Sequence, residues 1–266
     1  MKYSNIILLS DMDGTLLDTD FKLSDKNKAA IEYFTSQGGR FGVATGRGVR
    51  NAALFLPEGL VNFQSVFLNG SILYDFRTNQ VMKANHLDRD NILPVVKKCL
   101  AEHPNIAIQV YTDMDGFFIS GETLTDSFFV EDHMPYGFAD VDTAAEHEWA
   151  KILFSAQPEP LKWVEKNVAP LRENKIVDGV YSSKIYYEIL PVGSNKGEMI
   201  KYISKNPDDI IYAVGNYYND AELIKKADIG IFTKNAPEDL KPLGAYVCAD
   251  CDEDAIADVI YNIMQP

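Results

Sequence analysis

The residues Asp-Met-Asp-Gly occur twice in this chain, at 11–14 and at 113–116. Each copy sets two carboxylates two positions apart and follows them with a glycine. In extended backbone, residues two apart point the same way, so Asp11 and Asp13 can approach one point. A convergent pair of carboxylates can divide nucleophilic attack and proton transfer between them. Gly14 lets the chain turn close to that point, and Thr15 can cap the turn. Both copies could do chemistry, one could, or each could be a plain turn. The letters are identical, so the surrounding elements must decide.

The first copy follows Ile6–Leu9, a short unbroken apolar run. Such runs suit a strand buried on both faces of a parallel sheet, and open α/β sheets bind ligands outside the carboxyl ends of their strands. Ser24–Gln37 predicts a helix with Ser24 as N-cap, an apolar stripe of Ala29, Ala30, Ile31 and Phe34, and Gly38-Gly39 as its stop. Arg40–Ala44 predicts a strand, followed by the turn Thr45-Gly46-Arg47-Gly48 and a helix over 48–55. Ser65–Leu68 and Ile72–Tyr74 are strands joined by Asn69-Gly70. Near residue 83 the rhythm changes. A helix over 88–102 leads to two alternating strands, Ile106–Thr112 and Phe117–Ser120. Strand Lys151–Ala156, a helix over 159–172 and strands around Gly179–Ser182 and Lys184–Leu190 follow. The α/β rhythm resumes with a helix over 196–204, strand Ile210–Val214, helix Asn219–Lys226, strand Ile229–Ile231 and a helix over 252–264. The expected architecture is a doubly wound, Rossmann-like α/β core over 1–83 and 185–266, interrupted by an α+β insert over 84–184.

The second Asp-Met-Asp-Gly lies between two strands rich in β-branched and aromatic residues. Asp-Gly in that setting is a strong hairpin signal. No helix follows, no Thr follows the glycine, and the rest of a calcium-loop pattern is absent. Residues 113–116 therefore read as a turn.

The chain has 266 residues, an apolar fraction of 46% and a net charge of −14. That surface repels nucleic acid and anionic membranes. The insert holds 17 acidic and 9 basic residues, hence −8, and the remainder 22 and 16, hence −6. Neither part is a polyanion-binding module. Cys99, Cys248 and Cys251 make no disulfide framework. The CxxC at 248–251 has no second half and no suitably spaced histidine, so it reads as two reduced thiols near a strand end. No stretch approaches the roughly 20 apolar residues of a membrane span. The Ile6–Leu9 run is too short for a signal peptide, so the expected location is the cytoplasm. Monomer and homodimer both remain open.

The motif "DMDGTL" after an apolar strand resembles the first signature of the haloacid dehalogenase superfamily. "VATGR" (43–47) is similar to its second, the lysine of "SNKGE" (194–198) to its third and "AVGNYYND" (213–220) to its fourth. The insert and "FLNGSILYD" (67–75) resemble the Cof-type, type IIB subgroup, which carries a large α+β cap. The resemblance spans essentially the whole chain. It implies a phosphatase that uses Mg²⁺ and acts on a small phosphorylated metabolite, in particular a sugar phosphate, through an aspartyl-phosphate.

In that chemistry Asp11 is the nucleophile. Asp13 protonates the leaving oxygen and then activates water. Dehalogenases of the superfamily lack the second carboxylate, so Asp13 favours phosphoryl transfer. Thr45, with exposed amides at the following turn, suits phosphate oxygens, and Gly46, Arg47 and Asn219 are candidate substrate contacts. Asn195 looks like an N-cap with Glu198 reaching back. That would put Lys196 in a first helical turn, where the helix dipole disfavours a cation. Pairing with Asp11 and the transferring group would explain it. For the metal, the resemblance points to Asp11, the backbone carbonyl of Asp13, position 216 and Asp220.

The chain departs from the family pattern at 216, where Asn216 stands for the usual aspartate. Three consequences are open: weaker Mg²⁺ binding, Asp220 moving onto the metal, or a phosphate binder with poor turnover. Two rival readings follow. One is a phosphomutase resembling the phosphomannomutases, whose second phosphate would need cap arginines; only Arg89 and Arg172 are on offer. The other is a non-catalytic sugar-phosphate sensor. Phe117, Phe118, Phe128, Phe129, Tyr136 and Trp149 are candidate pocket aromatics, each also suited to the core.

Overall fold

The computed structural model describes residues 1–120 and 137–264. They form two units. The first comprises Met1–Arg47, Ala52–Lys83 and Asn195–Pro266, the second Gly48–Asn51 and Ala84–Ser194.

In chain order the elements before the crossing are β1 (Ile6–Ser10), α1 (Asp25–Ser36), β2 (Arg40–Val43), α2 (Val49–Ala53), β3 (Gln64–Phe67), β4 (Ile72–Asp75) and β5 (Gln80–Ala84). The second unit holds α3 (Arg89–Glu102), β6 (Ala107–Tyr111), β7 (Gly116–Phe118), β8 (Gly137–Phe138), α4 (Val141–Ala144), β9 (Lys151–Ser155), α5 (Pro158–Glu173), β10 (Val177–Ser183) and β11 (Tyr186–Pro191). The first unit is completed by β12 (Ile210–Gly215), α6 (Ala221–Lys226), β13 (Ile229–Thr233), β14 (Tyr246–Cys248) and α7 (Ala255–Asp258).

The main sheet of the first unit runs β14-β13-β12-β1-β2, and every pairing in it is parallel. The run Ile6–Leu9 is buried along its whole length, which is what a central strand with both faces covered requires. A single parallel bridge, Ala44 to Val66, leads on to β3. There the chain leaves the expected pattern. β3 and β4 are antiparallel and belong to a separate three-stranded sheet with β5, because Asn69-Gly70 reverses the chain. α1 begins as expected, with the Ser24 hydroxyl accepting the Asn27 N–H at 3.0 Å.

Two expected helices differ. Lys196–Tyr202 is a tighter 3₁₀ segment. Asn195 does cap it, accepting the Glu198 N–H at 2.9 Å. The Glu198 carboxylate does not reach back; it pairs with Lys201 and Lys226. The helix over 252–264 is broken at Asp254, whose backbone is left-handed (φ 62°). Its carboxylate is held by the Ser24 hydroxyl at 2.6 Å and Lys26 at 3.2 Å. After α7 the chain widens into a π-type turn over Val259–Ile263.

In the second unit the sheet order is β10-β11-β9-β6-β7-β8. β11 pairs with β10 and β9, so this unit runs to Ser194 rather than ending at 184. Its core includes Ile92, Val96, Ile108, Ile152, Phe154, Val164 and Trp149. Trp149 is fully buried and its indole N–H donates to the Ala144 carbonyl at 2.7 Å, so it is core. Phe118 is buried and Phe117 stacks on His147. Phe128, Phe129 and Tyr136 lie outside the described residues. The ends of the unit meet where Asn85 Nδ2 donates to Ser194 Oγ at 3.2 Å. Among the described residues, no helix is long and apolar enough to cross a membrane.

At the amino ends of the parallel strands, Arg40 forks onto both oxygens of Asp209. Arg40 opens β2 and Asp209 precedes β12, so the pair ties the two strands that flank β1. The Arg40 guanidinium holds the Asp209 carboxyl below its usual range, against the opposing effect of burial. A depressed folded-state pKa stabilises the fold above the unfolded value and loses that contribution as pH falls. Asp209→Asn is therefore expected to lose about 1–3 kcal/mol at pH 7. In urea unfolding, the gap to wild type should close as pH falls below about 4. A gap that does not change with pH would show that the pairing contributes nothing.

Candidate active site

The site is assembled by strand ends. Ser10, the last residue of β1, lies beside Val43 of β2 and Val214 of β12. One step on, the Asp11 N–H donates to the Val214 carbonyl at 2.8 Å and the Ala44 N–H to the Ser10 carbonyl at 2.7 Å. Asp11, Thr45 and Asn216 thus leave the carboxyl edge of the sheet close together, where open α/β sheets bind ligands.

Lys196 is fully buried. Its Nζ lies 2.7 Å from Asp11 Oδ1 and 2.6 Å from Asp220 Oδ1. A lone buried ammonium costs several kcal/mol, and the two carboxylates supply what it lacks. Burial works against the charge on Lys196, but Asp11 and Asp220 outweigh it and hold its pKa above the ordinary lysine value. Burial, then the neighbouring Asp220 carboxylate, push Asp11 up to about 7 against the pull of Lys196. The second Asp11 oxygen meets the Thr15 hydroxyl at a long 3.4 Å, so it is the more lightly held.

Asp220 is also fully buried, and both its oxygens are committed. Oδ1 accepts from Lys196, while Oδ2 accepts the N–H groups of Asn216 at 2.9 Å and Tyr217 at 3.0 Å. In this arrangement Asp220 is a buttress for Lys196 and the 216–217 backbone. The Asn216 side chain lies over Gly14. A Cβ on Gly14 would come within 2.4 Å of Asn216 Nδ2, the end of a side chain that can turn aside, so it is the φ of +72° that favours glycine here. Asn235, which the sequence reading did not single out, donates from Nδ2 to the Gly14 carbonyl at 2.8 Å. Its only sequence signal is that it follows a strand at the same edge.

Asp13 is held by Arg47. The guanidinium Nε lies 2.8 Å from one Asp13 oxygen and Nη2 lies 2.7 Å from the other. Arg47 itself packs over the Phe55 ring at 4.0 Å. Thr45 is buried, and its hydroxyl oxygen accepts the Arg47 N–H at 3.1 Å. That leaves its own proton to donate. Asn219 Nδ2 donates to Asn69 Oδ1 at 3.1 Å, and the same Asn69 amide lies 3.2 Å from where a Cβ on Gly46 would be. From sequence, Asn69 stands in a turn and within the segment 67–75 that resembles the Cof-type subgroup, with no site role.

The second Asp-Met-Asp-Gly is a hairpin turn between antiparallel β6 and β7. The Thr112 N–H donates to the Asp115 carbonyl at 2.9 Å. Asp113 pairs with His86 and Asp115 with Arg50. Cys248 and Cys251 are buried, and burial pushes both thiols up to about 12, so they are protonated thiols.

A divalent ion such as Mg²⁺ takes hard oxygen ligands and keeps several waters. The residues named from sequence offer donors of that chemical kind. Asp11 brings a carboxylate oxygen that Lys196 does not hold, Asn216 a neutral amide oxygen, and Asp13 its main-chain carbonyl. Only one of these donors is charged, and both Asp220 oxygens already accept hydrogen bonds.

A family model described as haloacid dehalogenase-like hydrolase matches residues 8–260. The chain is 25% identical over 259 residues to the 5-amino-6-(5-phospho-D-ribitylamino)uracil phosphatase YcsE of Bacillus subtilis, spanning 96% of this chain and 94% of that protein. It is 26% identical over 271 residues to the chloroplastic endoribonuclease YBEY of Arabidopsis thaliana; that match spans 96% of this chain but only 46% of the plant protein. The crystal structure of a haloacid dehalogenase-like hydrolase from Bacteroides thetaiotaomicron superposes with a TM-score of 0.86 at 23% identity, covering 99% of this chain and 100% of that one.

Proposed function

Because the chain belongs to the haloacid dehalogenase-like hydrolase family, we propose that it is a Mg²⁺-dependent phosphatase acting on a small phosphorylated metabolite, a sugar phosphate by class. The observation that carries this reading is the fully buried Lys196 bridging Asp11 and Asp220. A cation so placed orients one carboxylate and faces the negative charge that phosphoryl transfer gathers beside it. The relative whose name gives a phosphoribityl substrate supports a small phosphorylated metabolite. A net charge of −14 speaks against a polyanion such as RNA.

In this reading Asp11 attacks phosphorus through one carboxylate oxygen and leaves the other for the metal. An Asp11–phosphorus bond forms as the bond to the leaving oxygen breaks, and Asp13 gives that oxygen a proton. Asp13 then takes a proton from water, which attacks the aspartyl-phosphate, releases inorganic phosphate and restores Asp11. Thr45 donates its hydroxyl proton to a phosphate oxygen, while Gly46 and Asn219 flank the same group. Arg47 exchanges Asp13 for the phosphate. When bound by Asp11, Asn216 and the Asp13 carbonyl, Mg²⁺ would offset phosphate charge.

The test is turnover of p-nitrophenyl phosphate with and without Mg²⁺, beside Asp11→Asn. Wild type should turn over only with the metal, and the variant should be inert. Equal inertness of both would sink the phosphatase reading in favour of a non-catalytic phosphate binder, which the missing charge at Asn216 motivates. Asn216→Asp adds a charged oxygen and is expected to tighten Mg²⁺ on the order of tenfold by calorimetry. An unchanged affinity would place residue 216 away from the ion.

A further inference from the structure

Within the segment 67–75, to which no site role was given, the loop Leu68-Asn69-Gly70 has an uncommon backbone. All three residues are left-handed, with φ of 51°, 53° and 99°. Glycine adopts that region freely and asparagine tolerates it, but for leucine it is strained. Strain of this kind persists only where the surroundings over-determine it.

Here the surroundings are the segments already assigned to the phosphate. The Leu68 N–H donates to the Arg47 carbonyl at 3.0 Å and the Asn69 N–H to the Thr45 carbonyl at 3.1 Å. The loop thus grips the Thr45-Gly46-Arg47 turn by its first and third residues. The Asn69 side chain, buried to 4% exposure, fills the space beside Gly46 between those two bonds. Its Oδ1 then takes the Asn219 amide. On the other side, a Cβ on Gly70 would lie 2.2 Å from the Asn195 carbonyl oxygen. The loop is therefore seated directly against the residue that precedes Lys196. One strained loop touches three of the segments that would surround a transferring phosphoryl group.

We propose that Asn69 is the positioning residue of the phosphate site. Its amide sets the spacing between the Thr45-Gly46 turn and Asn219, and the left-handed backbone at 68 and 69 is what delivers it there. This inference rests on the phosphate role given above to Thr45, Gly46 and Asn219.

Asn69→Gly is the informative variant. Glycine keeps the left-handed backbone without strain and removes only the amide, so the fold should survive. Small misplacements of binding groups cost on the order of 100-fold. The expected result is a rise of about tenfold to 100-fold in the KM for p-nitrophenyl phosphate and in the dissociation constant of inorganic phosphate by calorimetry. Thermal melting should stay within a few degrees of wild type. Because Asn69 acts through Asn219, the losses in Asn69→Gly and Asn219→Ala should not add in the double variant. A folded Asn69→Gly protein with wild-type KM and phosphate affinity would overturn the inference. So would fully additive losses. The two readings fail separately: absent turnover that Asp11→Asn does not change refutes the phosphatase, while the calorimetric phosphate affinity still decides the role of Asn69.

Discussion

Lys196→Met is expected to lose about 3–5 kcal/mol of stability and at least 10²–10³ in kcat, if measurable turnover remains. Methionine matches the length of the lysine stem, so packing changes little and the loss is one of charge. Asp11 and Asp220 would stay buried side by side without their shared cation. Burial and Asp220 already push Asp11 up to about 7, and Lys196 is the group that pulls it down. Without that pull Asp11 rises further and carries a proton at neutral pH, where it is no nucleophile. The stability deficit has a definite pH dependence. A carboxyl whose folded-state pKa is raised favours the fold at low pH and opposes it as pH rises. The deficit should therefore be larger at pH 8 than at pH 5 in urea unfolding. A variant as stable as wild type at both pH values, with unchanged kcat, would remove Lys196 from the site.

Asp13→Asn should show the opposite division. The Asp13 side chain is 38% exposed and its partner is Arg47. Arg47 is buried while Asp13 is partly solvated, so the stability loss should be about 1–2 kcal/mol, smaller than for Lys196→Met. Loss of a proton donor and acceptor should lower kcat by about 10²–10⁴. The leaving group supplies the check. p-Nitrophenolate departs with little help, whereas a sugar alkoxide needs its proton. The loss should accordingly be larger with an alkyl phosphate than with p-nitrophenyl phosphate. Equal losses on both would assign Asp13 to holding Arg47 and the turn. The geometry adds a requirement: Arg47 occupies both Asp13 oxygens, so the carboxylate must leave Arg47 before it can carry a proton to the substrate. A phosphate dianion at Arg47 supplies the competing charge.

The two copies of Asp-Met-Asp-Gly show what the sequence can reveal. Asp11 was legible because an unbroken apolar run precedes it, and 113–116 because alternating strands flank it. Ser24 and Asn195 were legible as caps because capping is local. What escaped was set by partners distant in the chain. Nothing near Asp220 says that Lys196 will take one of its oxygens, although its bonds to the Asn216 and Tyr217 amides are a local cap. Asn69 stands in a turn and in the Cof-like segment 67–75, but nothing near it says that its side chain will meet Asn219. The helix expected over 196–204 tightened because apolar periodicity does not register a neighbouring backbone. Gly197 sits so close to α6 that a Cβ there would be 2.3 Å from the Glu222 carbonyl oxygen.

The hydrogen bond between Asn85 and Ser194 bears on the order in which a ribosome-emerging chain can fold. β1 is made first, yet one of its two sheet partners is β12, and Ile6 pairs with Ile210. Until that late strand is synthesised, the apolar run of β1 has one edge unpaired, a setting prone to aggregation. The second unit has all its strands within one continuous stretch, so it can form beforehand. Once it has, Asn85 and Ser194 are neighbours, and the long excursion between the halves of the first unit collapses to a short tether. The entropy of closing that loop is then spent before β12 arrives. Early folding of the second unit would act as an internal chaperone for the strand that carries the nucleophile.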